Sequence, residues 1–229
     1  MKKSCAISII PMRKEPSDRA EIVNQLLFGE VFTIIELQDK WVKILSVQDQ
    51  YEGWIDRKQA ESNSKIGTST TPLSKPIFFH DQFFPAGCYA DIPGQNFPTE
   101  SLSQIALGYL NTPYLWGGKT HAGIDCSGFT QMVFRIAGQN ILRDAYQQAE
   151  MGQAISFVEE SQTGDLAFFD NEEGRIIHVG MIIRNESSKF PSIIHASGWV
   201  RIDTLDNEGI KNENGKQSHR LRIIKRIKL

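Results

Sequence analysis

Cysteine is scarce: Cys5, Cys88 and Cys126 are the only three in 229 residues, an odd set without paired spacing. That excludes a disulfide framework and fits a reducing compartment. Long apolar runs are missing too, since no stretch approaches the roughly 18 residues of a bilayer-spanning helix. So is an excess of either charge. Lys and Arg number 25 against 27 Asp and Glu, a net charge of -2. Nucleic acid or an anionic membrane would call for a basic face, so neither is an expected partner, and a ligand must be recognised by a shaped site. No repeat of 20–50 residues is visible. The start, Met1-Lys2-Lys3 followed by Ser4 to Ile10, imitates a leader. Its apolar stretch is short, however, and Pro11 with Arg13-Lys14-Glu15 ends it. Cys5 lies too close to the start for a lipoprotein cysteine. A first β-strand is the expectation, with a cytoplasmic location.

What is present reads as three parts. Residues 1–60 carry short runs of β-formers: Val31–Leu37, Trp41–Leu45 and Tyr51–Ile55, with a turn at Gly29. Close spacing of such strands suggests a small barrel. Residues 61–98 are a linker and interdomain segment. Its first half, 61–76, is rich in Ser, Thr and Lys and unable to bury much. Its second half holds Phe78, Phe79, Phe83 and Phe84, expected to pack between two domains. Residues 99–229 form a second domain. A capped helix begins at 99–106. Phe129, Met132, Val133, Ile136 and Ala137 fall at helical spacing within 125–137, and Gly138 stops that helix. Strands follow at 165–169, 176–183, 192–196, 200–203 and 221–227. Helices first and strands later make an α+β class.

The chemistry should lie in this second domain. Cys126 opens the second helix, where free amides and the dipole favour a thiolate and can hold an oxyanion. Gly123 and Gly128 leave room for a substrate. A helical cysteine alone is more often a small core residue. His178 and His195, each in the middle of a strand, change the balance, because a buried histidine needs a partner. Two of them downstream of such a cysteine suggest a nucleophile, a base and an orienter. Zinc is the rival use of Cys, His and Asp, but no C-x-x-C or H-E-x-x-H is present and every ligand would come from a separate element. No metal and no cofactor is expected. His80, His121 and His219 stand in polar contexts and read as solvated.

The run Thr112-Pro113-Tyr114-Leu115-Trp116-Gly117-Gly118, then Asp125-Cys126-Ser127-Gly128-Phe129, resembles the NlpC-type cell-wall peptidases. Gly164–Phe169, His178-Val179-Gly180-Met181 and Ile194-His195-Ala196 continue the likeness in order. It covers roughly residues 100–203. It implies a papain-like catalytic domain, with Cys126 as nucleophile, His178 as base and His195 as the residue that orients it. Tyr114 would help bind the oxyanion, and Asp125 and Ser127 would line the groove. The family often has Arg-Thr-Ser about seventeen residues after the cysteine; here Arg143-Asp144-Ala145 stands, without the serine hydroxyl.

The first domain resembles the bacterial Src-homology-3-like barrel that precedes the catalytic domain in dipeptidyl-peptidase VI and related γ-D-glutamyl-L-diamino-acid endopeptidases. The likeness rests on Gln25–Glu30, Trp41-Val42-Lys43 and Tyr51–Ile55. It implies that the barrel closes one end of the groove, with acidic side chains, here Glu30 and Asp125, receiving the free amine of L-Ala. Tyr51 is either a groove residue or barrel core. The expected activity is hydrolysis after γ-D-Glu in peptidoglycan-derived peptides, in murein recycling, by a monomer. A cysteine amidase or acyltransferase, and a non-catalytic wall-binding module, are the competing readings.

Overall fold

The computed structural model describes all residues except 1, 95–99, 186, 187, 189, 213 and 229. The expected start of the second domain at residue 99, and the end of the interdomain segment before it, fall outside the described residues.

Strands β1 (Lys2–Ser4), β2 (Ile9–Arg13), β3 (Ile22–Leu27), β4 (Val31–Leu37), β5 (Trp41–Ser46) and β6 (Glu52–Asp56) form one sheet in the order β1-β4-β5-β6-β2-β3. The sheet curls around Cys5, Ile10, Met12, Leu26, Phe32, Val42, Ile44 and Ile55, all buried. A one-turn helix, α1 (Arg57–Ala60), is capped by Asp56. The turn between β3 and β4 uses Gly29 at φ +80°, where a Cβ would meet the carbonyl oxygen of Tyr89 at 2.5 Å.

The following segment is more tightly held than its composition suggests. Leu73 is buried, and its N–H donates to Cys88 O at 2.9 Å. The hairpin β7 (Ile77–Phe79) and β8 (Gln82–Phe84) buries Phe84 edge-on against Phe28 of the barrel at 5.0 Å. Phe78 departs from expectation: it is 76% exposed, its ring beside that of the half-buried Phe83.

The second body begins with α2 (Leu102–Leu107), whose capping box joins Ser101 and Gln104. A short ribbon, β9 (Lys119–Thr120) and β10 (Gly123–Ile124), precedes α3 (Cys126–Ile136) and α4 (Ala145–Ala149). Then come β11 (Gln153–Ile155), β12 (Leu166–Asp170), β13 (Ile176–Ile183), β14 (Ser192–Ser197), β15 (Trp199–Leu205), β16 (Gly209–Lys211) and β17 (Gln217–Arg226). Their order is β11-β17-β12-β13-β14-β15-β16, and β16 also pairs with β17, so the ladder closes on itself. One face packs Leu166, Phe168, Val179, Met181 and Ile194 against α3; the other buries Ala167, Phe169, Ile182, Ile193 and Leu205.

Every residue of α3 is buried, its polar ones included. Buried polar groups need partners, and the barrel supplies two of them. Arg135 Nη1 lies 2.6 Å from Glu30 Oε1, and Gln131 Nε2 donates to Asp49 Oδ2 at 3.3 Å. The helix that begins at Cys126 is thereby wedged between sheet and barrel. Among the described residues, no helix is long and apolar enough to cross a membrane.

Candidate active site

Asp125 caps α3. Its Oδ1 accepts from Gly128 N at 2.6 Å and Arg143 Nη1 at 3.0 Å; its Oδ2 accepts from Gly117 N at 2.8 Å and Arg143 Nη2 at 2.6 Å. Arg143 also donates to Ser127 Oγ at 2.9 Å and, through Nε, to Asn24 Oδ1 of the barrel at 3.0 Å. A bidentate charge-assisted pair of this kind is strong and directional. Asp125 and Ser127, expected to line the groove, are accordingly bonded within the protein and as little exposed as Cys126 itself. The room at Gly123 and Gly128 is likewise filled by protein. A Cβ at 128 would lie 2.3 Å from Gly118 O, and one at 123 would lie 2.6 Å from Leu115 Cβ.

The thiol of Cys126 meets the backbone N–H of Val179, the residue after His178, and of Ser127. It gets there because β13 and β14 pair only over Met181–Ile183, so the strands part toward His178 and His195. The two imidazoles face each other across that opening, with His178 Nε2 2.8 Å from His195 Nδ1. His195 Nε2 lies 3.0 Å from Asp203 Oδ2, and Arg201 donates to Asp203 Oδ1 at 2.8 Å. Gly180 makes the approach possible, since a Cβ there would come within 2.8 Å of His195 Cβ.

This chain of bonds fixes the tautomers. A carboxylate only accepts, so His195 Nε2 carries a proton and its Nδ1 accepts. His178 Nε2 must then donate, which leaves His178 Nδ1 with the free lone pair. Burial works against the charge of Asp203, yet His195 and Arg201 hold its carboxyl below the ordinary value. Burial, followed by the His195 and His219 rings, holds His178 well below its own.

The helix start does not by itself make a thiolate. Burial pushes the Cys126 thiol up to about 12, with the Asp125 charge adding to it. Burial thus favours the neutral form of each, thiol and imidazole alike. Proton transfer between them creates both charges together, which a low-dielectric site tolerates far better than either alone. Tyr114 stands close by: its N–H donates to Gly198 O at 2.9 Å. Its phenol is kept protonated by burial first and by Cys126 next.

Glu30, expected at the groove, is elsewhere. It is 0% exposed, bonded to Leu27 N and paired with Arg135 and Lys119. An ammonium cannot reach it. Tyr51 packs against the barrel core. Its phenol, like that of Tyr146, lies close enough to Asp144 of the second body to favour the charged carboxylate. Burial raises the Asp144 carboxyl, Arg143 opposing. Asp144, Asp203 and His219 were not singled out from the sequence. Strand alternation places Asp203 on the His195-facing side only once the pairing of His195 with Arg201 is known. His219 is half-buried against His178 rather than solvated, and His121 stacks on Tyr109 at 3.9 Å; His80 is exposed. Among the described residues, no group of three or more His, Cys, Asp or Glu is arranged to hold a metal ion.

A thiol at the head of a buried helix, beside paired histidines at the split of a closed sheet, defines a cysteine peptidase of papain-like build. Residues 111–217 match the model of the NlpC/P60 family and residues 12–59 that of the bacterial dipeptidyl-peptidase Sh3 domain, so the chain carries an NlpC/P60 domain behind an SH3-type domain. The γ-D-glutamyl-L-lysine dipeptidyl-peptidase of Bacillus subtilis is 29% identical over 206 residues, covering 71% of this chain and 69% of that protein. Its namesake in Bacillus cereus is 25% identical, covering 71% and 65%. The chain thus spans about two thirds of the length of these relatives. A solved NlpC/P60 family protein from Bacillus cereus shares the fold with a TM-score of 0.74, at 20% identity and 99% coverage of both chains.

Proposed function

We propose that the chain hydrolyses the bond after γ-D-Glu in peptidoglycan-derived peptides with a free N-terminal L-Ala, releasing L-Ala-γ-D-Glu. Cys126 Sγ gives its proton to His178 Nδ1 and attacks the γ-glutamyl carbonyl carbon. The oxyanion is met by amides at the start of α3 and by the Tyr114 phenol. Collapse breaks the C–N bond, and His178 passes its proton to the leaving amine. Water, deprotonated by His178, then hydrolyses the thioester and restores the thiol.

The observation that carries the specificity is the meeting of Tyr51 with Asp144. Asp125 and Glu30 are each neutralised by an arginine. Among the described residues, Asp144 has no arginine ion pair of its own; burial raises its carboxyl, and Arg143 with the phenols of Tyr146 and Tyr51 opposes that. Asp144 comes from the catalytic body and Tyr51 from the barrel, so an ammonium site forms only where the two meet. Asp144 follows Arg143, which is bonded to the cap of the nucleophile helix, and the scissile carbonyl would lie a fixed dipeptide away. The names of the relatives support a γ-D-glutamyl peptide as substrate. The free cysteines Cys5, Cys88 and Cys126 support a reducing compartment and action on released wall peptides.

The test is mass spectrometry of products from L-Ala-γ-D-Glu-L-Lys and its N-acetylated form. Release of L-Ala-γ-D-Glu from the free peptide, with the acetylated one slower by about tenfold or more, is expected. Asp144→Asn should lower kcat/KM for the free peptide by about tenfold and shrink that preference. Equal cleavage of both peptides by the unmutated enzyme would refute the ammonium site.

A further inference from the structure

The third imidazole of the active site has no part in the hydrogen-bonded relay. His219 comes from β17, beyond the segment matched to the NlpC/P60 family. Its ring lies 4.2 Å from that of His178 at an interplanar angle of 23°, a face-to-face stack. The edges of Phe169 and His195 flank it, each at 5.9 Å. Its Nδ1 is 3.0 Å from the hydroxyl of its neighbour Ser218.

The backbone holds this residue firmly. Ile210 of β16 pairs with His219, and Phe169 of β12 pairs with Leu221 two residues on. Gly209 has φ +146°, and a Cβ there would lie 1.8 Å from the His219 carbonyl oxygen. Only glycine lets β16 press so closely on this point of β17. The ring is therefore delivered to one place, against one face of His178.

Burial, then His195, holds the His219 ring down to about 4, with Asp203 opposing. At neutral pH it is an uncharged aromatic plate. One edge of His178 is engaged by His195 through Nε2, and Nδ1 is reserved for the thiol proton in the proposed reaction. Its face is what remains for the surroundings to control. An aromatic plate on that face blocks rotation about the ring's own bond and excludes water. It also offers electron density to a cation.

We propose that His219 is a positioning residue for the base. Its neutral ring, stacked on His178, fixes the plane of that imidazole and receives the positive charge that His178 acquires with the thiol proton. The proposal rests on the reading of Cys126 and His178 as nucleophile and base. His219 would act through His178 rather than on substrate, so its loss should appear in the thiol–imidazole pair itself.

The experiment uses the full chain and two readouts: alkylation of Cys126 by iodoacetamide without substrate, and kcat and KM on L-Ala-γ-D-Glu-L-Lys. His219→Leu keeps the volume without the aromatic face. It should slow alkylation at pH 7 and lower kcat by about tenfold each, with KM held within about twofold. His219→Phe keeps the face and should restore both to within about threefold of the unmutated enzyme. Unchanged alkylation and kcat in a folded His219→Leu would overturn the proposal. So would a folded His219→Phe as impaired as the leucine variant, because a face without ring nitrogens must suffice. Should the leucine variant unfold, His219→Met takes its place with the same expectations. His178→Ala separates the two levels: alkylation as fast as in the unmutated chain would remove the underlying base, whatever the His219 variants do.

Discussion

Asp203→Asn keeps the size of the side chain at the end of the relay and removes its charge. Two effects follow. The carboxylate compels His195 to carry its proton on Nε2, and an amide does not, because its NH2 can donate to that nitrogen instead. His195 then protonates Nδ1 and donates to His178 Nε2, and the proton of His178 moves to Nδ1, the atom that should receive the thiol proton. Exchanging a charged hydrogen bond for a neutral one costs about 1–2 kcal/mol in the charge-separated state. The lost charge is a second effect. At an effective dielectric of about 20, an anion two hydrogen bonds away stabilises the His178 imidazolium by on the order of 1–2 kcal/mol. Together these amount to about 2–4 kcal/mol, or a fall in kcat of roughly 30- to 1000-fold. Asp203 is remote from the groove side of His178, so KM should change little. Steady-state cleavage of L-Ala-γ-D-Glu-L-Lys gives both constants, and thermal unfolding shows whether Arg201, left without its carboxylate, disturbs the fold. A folded variant with kcat within about threefold of the unmutated enzyme would refute the tautomer argument.

Cys126→Ala should abolish turnover and leave thermal unfolding nearly unchanged; Cys5→Ala and Cys88→Ala, at buried sites away from the histidines, should keep activity and cost on the order of 1 kcal/mol in urea titration. Glu30→Gln should leave the preference for a free amine intact but destabilise the chain by about 3–5 kcal/mol, since Arg135 and Lys119 lose their buried anion; Arg135→Met added to it should recover part of that loss. Gly180→Ala should lower kcat by about tenfold or more, by pushing His195 off His178, with the sheet otherwise formed. Stability should fall as the pH is lowered through the window of His219, whose ordinary value is 6.5 and whose folded value is about 4. The unfolded chain binds that proton more readily, so the contribution is complete above pH 6.5 and is lost on the way down to about 4. Thermal midpoints between pH 7 and pH 4 should therefore drop less steeply in His219→Phe.

The sequence by itself determined what depends on local order. Apolar spacing over 129–137 places a helix with Cys126 at its start, and the structure adds that Asp125 caps it. Runs of β-formers place Val31–Leu37 and Ile176–Ile183 at the observed strand bounds. The order of Cys126, His178 and His195, each within its own short motif, carried the family likeness. Only the tertiary structure decided how charge is distributed. Glu30, Asp125 and Asp144 look alike as acidic residues in turns or at helix starts. What separates them is that an arginine pairs with Glu30 and with Asp125, Arg135 and Arg143 arriving from 105 and 18 positions away. Asp203 and His219 were illegible for the same reason. Alternation tells which residues of a strand share a face, but not which residue of the next strand lies opposite. The relay from His178 to Asp203 depends on the register of β14 with β15, and the stacked ring on the closure of β16 onto β17. Register is set by long-range packing, which a single chain read in order does not display.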